Sequence, residues 1–95
     1  MKVERFSTQT CTSCGQIALV FKLSSILSKD FLPLFVANGF SEVKHFTKSG
    51  ILYIESLKLM VQGPFGSDKV TVKCKTNVDC EKYINDFETL LNNIN

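Results

Sequence analysis

The stretch "ILYIESLKLMVQGPFGSDKVTVKCK", residues 51–75, decides the fold. Its side chains alternate with period two, the repeat of a strand whose two faces meet different surroundings. From Ile51 to Ser56, Ile51 and Tyr53 face one way and Leu52 and Ile54 the other. From Leu57 to Gln62, Leu57, Leu59 and Val61 oppose Lys58, Met60 and Gln62. The tip "GPFGSD", residues 63–68, carries the Gly, Pro and Asp of a hairpin loop. Beyond it Val70, Val72 and Cys74 oppose Thr71, Lys73 and Lys75. Three consecutive strands joined this tightly predict an antiparallel sheet.

Working outward, residues 42–47 read as a further strand that turns into Ile51 at "TKSG", residues 47–50. "IALVFKL", Ile17 to Leu23, is apolar on both alternating faces except at Lys22, as in a strand covered on both sides. Between them a helix is predicted from Phe31 to Asn38. Pro33 fits its first turn, Ser28 or Asp30 caps it and Gly39 closes it. At the other end Val78, Ile84, Phe87, Leu91 and Ile94, flanked by Tyr83 and Leu90, form a helical stripe over residues 78–94. Thr76 and Asp79 have the spacing of a capping box. Residues 1–10 are polar and read as loosely held. The expected order is β-α-β-β-β-β-α in a single domain spanning residues 1–95. That order predicts an α+β fold with an antiparallel sheet of about five strands and two helices on one face.

The run "ILYIESLKLMVQGP", residues 51–64, resembles the middle hairpin of a single repeat of the TATA-box-binding protein fold. There an apolar strand is followed by a Ser, a Lys, further apolar residues and a Gly. The resemblance implies strand, helix, several antiparallel strands and a long final helix. That family carries two repeats per chain, and this chain has room for one. The resemblance therefore implies that a homodimer completes the pair. The strand within "GPFGSDKVTVKCK" departs from the family pattern, and DNA binding does not transfer with a fold alone.

Composition sets bounds on function. The chain is 44% hydrophobic and 21% charged with eight Phe, enough for a core and too apolar for disorder. The net charge of +2, from ten Lys and one Arg against nine acids, permits a nucleic-acid partner without pointing to one. "MKVERFSTQT" lacks the apolar stretch of a signal peptide and no run reaches membrane-span length, so the expectation is a cytoplasmic protein with no membrane partner.

Four cysteines then suggest a metal site before disulfides. Cys11 and Cys14 form C-x-x-C-G, a zinc-knuckle spacing, and Cys74 and Cys80 form C-x5-C. If the first and last strands are antiparallel neighbours, all four cysteines converge on one edge and a structural zinc site is expected. Free or buried thiols, disulfides and a working dithiol are the alternatives. A C-x-x-C placed before a strand argues against the dithiol, which normally opens a helix.

His45 reads as a solvated strand histidine, because no Ser, Cys or Asp motif accompanies it, and no catalytic motif is present. Phe65, between glycines at the hairpin tip, anchors a partner protein, wedges between bases or, the favoured reading, folds back over the core. Lys58, Lys69, Lys73 and Lys75 mark the sheet around it as a partner-binding surface. The expected function is a non-enzymatic interaction or regulatory module that binds protein as a homodimer. Nucleic-acid binding by the lysine-bearing sheet face is the alternative. On the face opposite the helices, Met60 should lie with either Leu52 and Ile54 or Ile51 and Tyr53, and the expected homodimer buries this apolar surface.

Overall fold

A computed structural model describes residues 1–10, 17–75 and 79–94. Its first element corrects the expectation of a loose start, since Val3–Thr10 forms strand β1. β1 pairs antiparallel with β2, Ile17–Leu23, along its whole length. An edge strand needs backbone bonds on one side only, so its sequence carries no long apolar signature. The Met1 amino group donates to the Ile94 carbonyl, and Val3 packs against the core.

After a 3₁₀ turn at Lys29–Phe31, α1 runs over Leu32–Ala37 with Pro33 in its first turn. Ser28 Oγ accepts from the Asp30 N–H at 3.2 Å, so Ser28 is the cap at this entry. β3 is only Ser41–Glu42, and α2 occupies Lys44–Lys48. Residues 42–47 are thus mainly a helical turn, where alternation predicted a strand. Five residues are too few to separate the two periods. Gly50, at φ 84°, supplies the left-handed residue that returns the chain to the sheet.

The decisive stretch folds as β4 (Ile51–Glu55), β5 (Leu59–Pro64) and β6 (Lys69–Cys74). β5 starts two residues later than alternation suggests, because Ser56 Oγ accepts from the N–H groups of Lys58 (3.3 Å) and Leu59 (3.1 Å) and turns the chain. The final helix, α3, is Cys80–Asn92. Asp79 precedes it in the left-handed region at φ 56° and makes no side-chain cap bond. Thr76 and Val78 lie outside the described residues.

The fold class is α+β. The described strands form a six-stranded antiparallel sheet in the order β1-β2-β6-β5-β4-β3. Leu19, Phe21 and Leu23 of β2, Val70, Val72 and Cys74 of β6, Leu59 and Val61 of β5, and Leu52 and Ile54 of β4 all point to one face and are buried. α1 and α3 cover that face. Phe87 of α3 lies 6.3 Å from Phe21, 5.8 Å from Phe35 of α1 and 5.5 Å from Phe40, ring centre to ring centre. α2 is a third helix off that layer. Its Phe46 ring stacks on Tyr53, which points away from the core.

Candidate interaction surfaces

Two surfaces stand out, one on each side of the sheet. The open face follows from the strand register. Lys22 sits opposite Lys69; Val20, Thr71, Gln62 and Tyr53 form the next row; Ala18, Lys73, Met60 and Glu55 form the third. The two alternatives left by the sequence are resolved here. Ile51 and Tyr53 share the open face with Met60, and Leu52 and Ile54 are core. Tyr53 Oη donates to Met60 Sδ at 3.4 Å, and the Phe46 ring lies over Tyr53 at 4.8 Å and 18°.

At the β1 end the register shifts between Arg5 and Ser7, which leaves Phe6 as an extra residue in a bulge. Its ring is 57% exposed, and Lys69 Nζ stands 4.4 Å from the ring centre. Arg5, the chain's one arginine, serves the other face. Its guanidinium donates to Glu81 (2.7 Å), Asn85 (2.5 Å) and Glu88 (3.1 Å) on α3, tying the edge strand to the helix. The bond to Glu81 is the main reason its pKa rises further above an already high value.

The helix side carries an apolar groove of about 260 Å³ lined by Phe40, Leu59, Tyr83, Phe87 and Leu90, with Asn38, Ser56 and Asp86 as its polar members. Asn38 and Leu90 also line a second hollow that runs on to Leu34 and Ile94. Leu57, one residue after the groove's Ser56, is 90% exposed, the most exposed large apolar residue among those described, and lines a separate shallow hollow with Gly39, Ser41, Glu55, Ser56 and Lys75.

The residues singled out from the sequence divide between these places. Lys69 and Lys73 lie on the open face. Lys75 closes that face's end with its Nζ 3.2 Å from Glu55 Oε2. Lys58 leans toward the helix side, 5.8 Å from the Tyr83 ring centre. Phe65 folds back and packs against the core, the favoured of its three readings. His45 is exposed on α2 rather than on a strand, with its ring edge-on to Phe46. Phe6, Lys22, Phe46 and Leu57 were not anticipated as surface residues of interest. The Ser56 turn was the signal for Leu57.

Cys74 and Cys80 are joined by a disulfide, with 5.9 Å between their Cα atoms, and both are buried. In this state their sulfurs are bonded to each other. Cys11 and Cys14 lie outside the described residues. The antiparallel pairing that the convergence argument took as its condition is present between β2 and β6, with Ala18 opposite Lys73. Among the described residues no group of three His, Cys, Asp or Glu is placed to hold a metal, and no described helix is long and apolar enough to cross a membrane. Comparison with known families, characterised proteins and solved structures finds no match.

Proposed function

We propose that this chain is a non-catalytic protein-interaction module that pairs with a second copy of itself through its helix side. The observation that carries the reading is Leu57, a leucine held almost fully in water one residue beyond Ser56, which lines both the apolar groove and the hollow under Leu57. A projection and a socket adjacent on one surface are self-complementary under a two-fold axis, because each copy fills the other's groove. Burying one such leucine contributes about 1.5–3 kcal/mol, and the symmetry counts it twice. Exposed Leu34 at the groove's far end extends the apolar area. The open sheet face is less suited to self-pairing, since a copy laid on it would bring Lys22, Lys69 and Lys73 against their own kind.

Sedimentation equilibrium over a micromolar to several-hundred-micromolar range tests this. The expected species has twice the 10.7 kDa of one chain, and Leu57→Asp should return it to the monomer. A wild-type monomer across the whole range, or a dimer indifferent to Leu57→Asp, overturns the reading.

A further inference from the structure

We infer that the open sheet face is a binding site for single-stranded nucleic acid, separate from the helix-side surface just described. Three features of that face converge on a polyanion with flat rings. The first is a repulsive pair. Lys22 and Lys69 sit directly opposite each other on β2 and β6. Like charges in that position destabilise a sheet unless something anionic lies over them.

The second is a lysine row. Lys73 lies four residues beyond Lys69 on the same face of β6, about 13 Å along the strand at the usual rise. The acids that share the strands of this face are Glu4, opposite Lys22, and Glu55, which Lys75 already holds. Lys22, Lys69 and Lys73 form no ion pair among the described residues. Lys69 and Lys73 are therefore a cationic row along β6 with no acid directly opposite either of them.

The third is a pair of aromatic platforms flanking the row. Phe6 projects from the β1 bulge on one side, and Phe46, backed by Tyr53, lies on the other. β1 and β4 are four strand spacings apart, about 19 Å. A single strand running across the sheet would set phosphates near the lysines and stack bases on the outer rings. This is the combination that sequence-tolerant single-strand binders use. A duplex hides its base faces, and an acidic polypeptide offers the charge without them.

Fluorescence anisotropy of a labelled twelve-residue oligothymidine with the full-length protein tests the site. At low salt the wild type should bind. The logarithm of its affinity should fall with the logarithm of salt at a slope near −2, for about three phosphates at roughly −0.7 each. Lys69→Glu combined with Lys73→Glu should weaken binding at least tenfold. Lys69→Glu converts the repulsive pair with Lys22 into an attractive one, so the variant should remain folded by circular dichroism. Phe6→Ala and Phe46→Ala should each weaken binding about fivefold or more and leave the salt slope unchanged.

No anisotropy change up to several hundred micromolar overturns the inference. So does equal competition by polyglutamate, which would assign the face to an acidic polypeptide. Unchanged affinity in both phenylalanine variants likewise overturns it, as attraction of charge alone. Leu57→Asp should not alter the affinity per chain, so failure of the dimer reading and failure of this one are seen separately.

Discussion

Phe87 is where the elements meet, and replacing it by alanine is the severest single test of the fold. Its side chain is 2% exposed and touches one ring from β2, one from α1 and one from the segment leading into β3. Truncating a buried Phe costs about 3–5 kcal/mol, through lost transfer energy and the cavity left behind. Each aromatic pair adds about 0.5–1.5 kcal/mol beyond burial, and three are lost here, so the upper half of the range is expected. A domain of this size has about 5–15 kcal/mol in total, so Phe87→Ala removes a large share. At about 4–8 °C per kcal/mol, a 4 kcal/mol loss lowers the melting temperature by about 16–32 °C. Urea unfolding followed by circular dichroism, with equal slopes for wild type and variant, measures it directly. Phe87→Leu should lose clearly less. A loss below about 1 kcal/mol for Phe87→Ala would mean that α3 does not dock through this ring, and the packing described above would be wrong.

Two further outcomes follow from close geometry. Gly63 lies on the core face of β5, where a Cβ would stand 2.8 Å from Leu27 Cδ1 and 2.9 Å from the Lys69 carbonyl oxygen. The leucine can shift but the backbone oxygen cannot, so Gly63→Ala should cost about 1–3 kcal/mol in urea unfolding; a loss under about 0.5 kcal/mol would show that the hairpin yields. The Cys74–Cys80 disulfide closes a short loop from β6 to α3, for which chain entropy gives about 2 kcal/mol. Cys74→Ala with Cys80→Ala should lower the thermal midpoint accordingly, and an unchanged midpoint in protein purified without reductant would show that the bond adds no stability.

The parts of the fold legible in the sequence were those where alternation and burial agree. Leu52 with Ile54, Leu59 with Val61, and Val70 with Val72 and Cys74 each repeat every second residue because all of them face one core. The α3 stripe of Ile84, Phe87 and Leu91 was legible for the same reason at the helical period. β1 was not, because an edge strand is held by backbone bonds that leave no mark on residue type. α2 was missed because a five-residue turn is shorter than either period needs to declare itself. Lys69 and Lys73 could be placed on a surface by their alternation against Val70 and Val72. Lys22 looked like a mere interruption of an apolar run, and only the register shows it opposite Lys69. Phe6 and Phe46 are forty residues apart in sequence, and nothing local places both on one face. Whether Phe65 reached out or folded back depended on the space left over the core, which only the assembled packing defines.

The division of the surface bears on how the two proposed activities relate. α1 and α3 occupy one side of the sheet and the lysine row the other. A pair formed through Leu57 and its groove would therefore leave both lysine faces uncovered and directed away from each other. The groove and the lysine row share no residue and adjoin only where Leu57 lies beside Glu55 and Lys75, so dimerisation gives no contact with Lys22, Lys69 or Lys73 that oligonucleotide binding could strengthen or weaken directly. A twelve-residue strand should then bind each copy independently, without cooperativity. A strand long enough to reach round the particle gains from a second attachment, because the second face acts at a high effective concentration. Longer strands should consequently bind the wild-type pair more tightly per molecule than they bind the Leu57→Asp monomer, and short strands should not tell the two apart.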